Sequence, residues 1–281
     1  MYSHPLFTYG IIGLVAGVAD RWLLQVFHGS IEQGFFGLSY QIGAICFLAT
    51  SAMTPLLTRE FAVAYSKNDL PLMASLFRRY IPLFYSIAAY FSCFVVMNAE
   101  KVTYIFGGKK FQHASMAVAI MAFYPIHQTY GQLSGSVFYA SGNTRLYRDI
   151  GIIFMLLGLP VAYFLLAPSN RMGLECGATG LAIKMVALQF VAVNAQLYFN
   201  AKFLKLPFGK YLAHQIVCVA LFLFFAWCSS LVTTNAFGDQ RVLLSFLLSG
   251  ITYTLIVLLT AYFAPRVFGL KRDDLRGLLR Y

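Results

Sequence analysis

Residues 6–27 read LFTYGIIGLVAGVADRWLLQVF, an almost wholly apolar stretch with one acid and one base side by side, Asp20 and Arg21. A membrane-spanning helix needs roughly 20 apolar residues, so this stretch is long enough to cross a bilayer. A charge at hydrocarbon depth is costly, and such charges mark solute pathways, proton relays or interior ion pairs. The stretch predicts a membrane helix whose polar residues are there for a purpose.

Working outward, seven more stretches of the same kind follow: Gly34–Leu57, Tyr80–Met97, Ala114–Ala140, Ile150–Ala167, Ala178–Phe199, Tyr211–Val232 and Leu243–Ala264. Breakers separate them at Gly29-Ser30, Gly107-Gly108, Ser141-Gly142-Asn143, Pro168-Ser169-Asn170, Pro207 and Asn235 to Gly238. The fold class expected is all-α and polytopic, with about eight transmembrane helices. Composition agrees: 11% of residues are charged, against about 25% in a soluble domain. Eight helices use more than half of the 281 residues, so no large soluble domain fits between them. Many tyrosines fall near segment ends, where an aromatic belt puts them. The N-terminus lacks a small-residue cleavage pattern, so no removable leader is expected. Between the second and third stretches, Arg59–Arg79 mixes charges with Leu70, Leu72, Met73, Leu76 and Phe77, and reads as a short helix lying in the membrane interface.

The net charge of +11 is spread over short loops rather than gathered on one soluble face. That distribution argues for topology signals and contact with anionic lipids, and against nucleic acid. With the N-terminus inside, the inner side holds fourteen basic residues: Arg59, Lys67, Arg78, Arg79, Arg145, Arg148, Lys202, Lys205, Lys210, Arg266, Lys271, Arg272, Arg276 and Arg280. The outer loops hold five: Lys101, Lys109, Lys110, Arg171 and Arg241. The positive-inside rule selects this orientation, with both termini cytoplasmic. Four of the five cysteines lie in apolar segments without C-x-x-C spacing, so they read as small membrane-core residues.

Depth follows from the rise of the helix. Arg21 lies about 9 Å from the outer end of the first span, and Lys184 about 9 Å into the sixth. Lys184 leans outward along its own helix and has the option of snorkelling to the outer headgroups. Arg21 leans inward and lacks that escape, which favours an interior role for it. Asp20 and Arg21 point about 100° apart, so Asp20 is expected to pair with another helix, as an ion-coupling group. The fourth span adds His127, Gln128, Thr129, Tyr130, Gln132, Ser134 and Ser136, with Pro125 predicting a kink. These groups suit either hydrogen bonds that hold a bundle together or the lining of a hydrated cavity. The candidate cavity residues are Arg21, Lys184, His127, Gln128, Tyr130 and Gln132.

Catalytic signatures are missing. The chain has no P-loop and no H-E-x-x-H, and nothing in it calls for a cofactor or a metal ion. A membrane transferase with His127 as base and Asp20 or Asp149 as acid is the only enzyme the residues offer, and a non-enzymatic role is expected instead.

The set Ala19-Asp20-Arg21-Trp22-Leu23-Leu24, then Gly29, then Gln33-Gly34-Phe35-Phe36-Gly37-Leu38 resembles the polysaccharide flippases of the multidrug/oligosaccharidyl-lipid/polysaccharide exporter superfamily. Phe138-Tyr139-Ala140-Ser141-Gly142-Asn143-Thr144 and Gly177-Ala178-Thr179-Gly180-Leu181-Ala182 fit the same family, and the resemblance covers about Pro5 to Lys205. It implies a carrier of lipid-linked oligosaccharide of the undecaprenyl pyrophosphate type, working by alternating access in the bacterial inner membrane and coupled in some members to an ion gradient. It also implies that residues 1–205 form a six-helix lobe, the second of two, and that residues 206–281 add two helices and a basic tail. The first lobe then has to come from a missing N-terminal lobe or from a second chain. The other readings open at this point are an accessory or scaffold subunit of a glycan-assembly complex and a multidrug exporter of the same superfamily.

Overall fold

A computed structural model describes residues 3–237 and 242–268 of the chain. Arg241 and the basic tail with Lys271, Arg272, Arg276 and Arg280 lie outside the described residues. Within them every regular element is helical: α1 (Ser3–Ser51), α2 (Thr54–Ser66), α3 (Leu70–Met97), α4 (Ala99–Gly107), α5 (Ser115–Met121), α6 (Tyr124–Ala140), α7 (Thr144–Leu166), α8 (Gly177–Phe203), α9 (Phe208–Phe237) and α10 (Val242–Phe263), with short 3-10 turns between some of them. Six of these, α1, α3, α7, α8, α9 and α10, are long and apolar enough to cross a membrane. The protein is a multi-span helical membrane protein.

The first two expected spans are one helix by hydrogen bonding, broken at Gly29 (φ 76°, ψ −171°). That φ lies in the left-handed region, which glycine enters without the clash that a Cβ brings. The break reverses the chain. Along a straight helix Arg21 and Tyr40 would stand about 28 Å apart, yet the Arg21 guanidinium carbon lies 5.5 Å from the centre of the Tyr40 ring. The return limb ends at Ser51, and Met53 begins α2 with Pro55 in its first turn, so this segment stops six residues short of the expected Leu57.

Three expectations need correction. Arg59–Arg79 is not a helix lying in the interface. Its first part belongs to α2, and its second part is the start of α3. Asp69 caps α3 by accepting the Leu72 N–H at 2.8 Å, and Pro71 sits in the first turn. Such a cap satisfies a backbone donor that has no partner within the helix. The apolar residues Met73, Ala74 and Phe77 then pack on Leu57, Phe61 and Ala64 of α2, in the interior of the protein rather than on lipid. The fourth expected span, Ala114–Ala140, is a 3-10 end followed by two helices, because Pro125 cannot bond back to Met121. The kink falls at Ala122-Phe123, and the freed Met121 carbonyl lies against the return limb of α1, where a Cβ on Gly43 would stand 3.4 Å from it. Finally, Asn235 to Phe237, where a turn is expected to begin, are helical and belong to α9; Gly238 lies outside the described residues.

The main core joins α2, α3, α9 and α10 to one face of α6 and the inner part of α8. α6 is two-faced: Ile126, Tyr130, Leu133 and Val137, at helical spacing, enter that core. Its opposite face looks toward α1, α7 and α8.

Candidate functional site

The limb of α1 before Gly29 carries three stripes, each at three- and four-residue spacing. Phe7, Ile11, Val15, Val18, Trp22 and Val26 include most of its exposed apolar surface, as lipid requires. Gly10, Leu14, Gly17, Arg21 and Gln25 form a second exposed stripe, apolar at Leu14 and bare or polar elsewhere. Tyr9, Gly13, Ala16 and Asp20 form the third, which turns inward and lines an elongated cavity of about 270 Å³ between α1, α6, α7 and α8.

At one end of this chamber the Lys184 Nζ donates to Asp20 Oδ2 at 2.6 Å. Both residues are more than nine-tenths buried. The other carboxylate oxygen, Asp20 Oδ1, is buried without a hydrogen-bond partner. Lys184 does not snorkel to the headgroups. Its side chain crosses Gly158 of α7 to reach α1, and a Cβ there would stand 2.8 Å from its Cε. Gly158 is a positioning residue that no local sequence signal singled out, because its role depends on two other helices. The expected partnership of Asp20 with another helix is present, and its partner is Lys184.

Further along, Gln189 Nε2 of α8 donates to Gln128 Oε1 of α6 at 2.6 Å, and Gln132 Oε1 accepts from the Thr54 hydroxyl at 3.3 Å. Both glutamines of α6 line the chamber. Near its other end Gln196 Oε1 is buried without a partner. A second cavity, of about 250 Å³, lies beside the first and shares Tyr124, Gln128 and Gln132 with it. Tyr40, which carries the Arg21 guanidinium, lines this second space.

The remaining candidates separate from this group. Arg21 is exposed and turned away from the pair, as a neighbour about 100° round the helix must be. Tyr130 is fully buried, edge-on to Tyr85 with ring centres 5.3 Å apart, on the core face of α6. His127 packs on Phe190 at 5.0 Å, outside the chamber lining. Each acid offered to His127 has another partner: Asp20 has Lys184, and Asp149 holds Arg148 at 2.7 Å at the exposed start of α7. The other polar residues of α6 bind helices together. Thr129 meets Thr50 at 2.7 Å, Ser136 meets Thr58 at 2.8 Å, and the Ser134 carbonyl accepts from Asn200 at 2.8 Å.

Two residues beside Gly29 anchor the reversal, and the sequence reading had not singled them out. His28 Nε2 bonds the Leu166 carbonyl at the C-terminal end of α7, at 2.8 Å. Glu32 Oε2 accepts the Ala178 N–H in the first turn of α8, at 2.7 Å. Each meets a backbone group that a helix end leaves unpaired, and the carboxylate also suits the positive end of the α8 dipole. Gly177, at φ 54°, lets Glu32 approach, since a Cβ there would fall 2.5 Å from Oε2. A glutamate three residues after a glycine break was the only available signal.

Comparison of the chain with family models, with curated proteins and with solved structures finds no match.

Proposed function

We propose that this chain is the ion-coupled lobe of a membrane transporter that carries lipid-linked oligosaccharide across the bacterial inner membrane, both termini cytoplasmic, by alternating access. The observation that carries the reading is the Asp20–Lys184 pair, buried at hydrocarbon depth at the head of a polar chamber. A buried ion pair adds little to stability over well-packed apolar residues, and ionisable residues inside a membrane mark ion and substrate paths. The Gly29 reversal and the kinked α5–α6 segment make eight crossings of the six long helices plus these two additions.

The exposed stripe with Arg21 and Gln25 supports the second half of the reading. Lipid tails cannot satisfy a guanidinium, so this face requires protein or water against it. A missing N-terminal lobe or a second chain would cover it and enclose a cationic cavity. Arg21 suits pyrophosphate or acidic sugars there through its planar set of donors. Asp20 would couple by gaining and losing a proton, each state favouring one cavity opening.

Arg21→Ala in the complete transporter is expected to reduce glycan-lipid translocation into proteoliposomes at least tenfold, with the Asp20–Lys184 pair undisturbed. Wild-type rates in that variant would remove the charge role of Arg21 and, with it, the substrate class.

A further inference from the structure

The chamber is long and thin, and its shape decides what it holds. Tyr9 and Asp20 are eleven residues apart on α1, and Lys184 and Gln196 twelve apart on α8, so both helices give it a length of about 16–18 Å. The space along that length is about 270 Å³. A drug-sized ligand needs about 300–1,000 Å³ in a compact pocket, and a lipid-linked oligosaccharide needs more. Water fits, and a file of about six at ~2.8 Å spacing reaches from end to end. Two buried acceptors without partners, Asp20 Oδ1 and Gln196 Oε1, belong to lining residues near its opposite ends. Buried polar atoms of this kind are normally met by ordered water.

The end away from the ion pair is lined by rings. Tyr9 lies on Tyr147 with centres 5.4 Å apart, and Tyr147 on Tyr139 at 5.1 Å. Two glycines seat them. A Cβ on Gly151 would stand 2.1 Å from Tyr9 Cε2, and one on Gly135 would stand 3.2 Å from Tyr147 Cε2. Glycine at both seats lets the rings lie close across this end.

We infer that the chamber is a water-filled proton path between the Asp20–Lys184 pair and the membrane face on which α1 begins, gated by Tyr9 seated on Gly151. A proton arriving through the water file neutralises the Asp20 carboxylate and breaks its ion pair, leaving the Lys184 ammonium; its departure restores the pair. The titratable groups facing the chamber are Asp20 and Tyr9 of α1, Tyr124 of α6, Tyr147 of α7 and Lys184 of α8. The use of this path in coupling rests on the transporter reading, whereas its existence does not.

The test is reaction of Met155→Cys, which lines the chamber from α7, with Ag⁺, a thiol-reactive ion of about the size of water, read as protection from alkylation after denaturation. It uses membrane vesicles of both orientations and is read peptide by peptide, so that the native cysteines stay in place. The expected result is slow reaction from the face where α1 begins, accelerated at least fivefold by Tyr9→Ala and left slow by Tyr9→Phe, which keeps the ring. In sodium-free proteoliposomes Tyr9→Ala is also expected to raise proton flux at least threefold, and Asp20→Asn to abolish the increase. Reaction from the opposite face only, no reaction in either orientation, or a rate indifferent to Tyr9 would overturn the path. A Tyr9→Ala flux that survives Asp20→Asn would overturn the part played by the pair. None of these readouts needs a glycan, so failure of the substrate class leaves them standing.

Discussion

The α3–α9–α10 side and the α1–α6–α7–α8 side of the molecule treat their interiors in opposite ways. On the first, rings pack on one another: Tyr253 stacks on Tyr90 and Phe94, Phe222 lies beside Tyr90, and Tyr85 lies between Tyr130 and His214. The groove of about 500 Å³ that Tyr90, Phe94 and Tyr253 help to line is almost wholly apolar. Polar contacts there tie helix to helix, such as the Tyr253 hydroxyl of α10 donating to the Tyr90 carbonyl of α3 at 2.9 Å. On the second side, charges and amides face a cavity that small residues (Gly13, Ala16, Gly131, Gly151) help to line. In lipid, helices associate by packing and by polar contacts rather than by escape from water. A side packed with rings holds together by fit, whereas a side with a gap gives up contacts, and that loss needs another use. On the transporter reading, the ring-packed side supports and the side with the polar cavity moves.

The sharpest way to break this assignment is to remove one charge of the buried pair. Lys184→Met leaves Asp20 alone at hydrocarbon depth, a change that costs about 3–5 kcal/mol in buried pairs, and transport is expected to cease. The double variant Asp20→Asn with Lys184→Met removes both charges. It should regain most of the thermal stability in detergent and none of the transport. Recovery of both together would make the pair purely structural. On the other side, Phe222→Ala opens a void in the ring-packed core and should cost about 3 kcal/mol. Transport per folded molecule should remain near wild type, since Phe222 touches neither the chamber nor the polar stripe. A fall in turnover as large as that in stability would show that the two sides are not separable in this way.

Gly158→Ala tests the seam between packing and charge. A Cβ at 2.8 Å from Lys184 Cε must push the side chain aside, and overpacking of this kind costs about 1–3 kcal/mol. The expected signature is a modest drop in melting temperature with a larger drop in transport, because the 2.6 Å contact with Asp20 lengthens. Equal losses in the two would place Gly158 among ordinary packing glycines.

How far the sequence reveals these features depends on how local their causes are. The membrane class, the Gly29 break, the Pro125 kink and the divergence of Asp20 from Arg21 are properties of short stretches, and each was readable from residue type and spacing. The start of α3 was readable too, since Asp69 followed by Pro71 is a cap signal; the charges around it suggested an interfacial helix instead. The choice between snorkelling and pairing for Lys184 was not local. It depends on Gly158 of α7 offering passage and Asp20 of α1 waiting beyond. The same holds for Tyr130, which shares a helix with Gln128 and Gln132 but faces the core. A polar helix with two usable faces does not reveal which neighbour each face meets.

The smallest effect is expected at the reversal itself, where the two sides' requirements are weakest. Glu32→Gln keeps an acceptor for the Ala178 N–H but removes the charge facing the start of α8. The interaction of a charge with a helix end is worth about 0.3–1 kcal/mol when partly exposed, so stability should fall by less than about 1 kcal/mol. Because the N–H is still satisfied, the reversal keeps its geometry, and the Arg21–Tyr40 contact 5.5 Å across the limbs survives. A distance measured between spin labels at Gln25 and Gln41 should stay within about 2 Å of wild type, well under the 5.4 Å of one helical turn. Separation of the limbs in this variant would mean that the Glu32 charge, rather than the left-handed backbone at Gly29, holds the chain folded back.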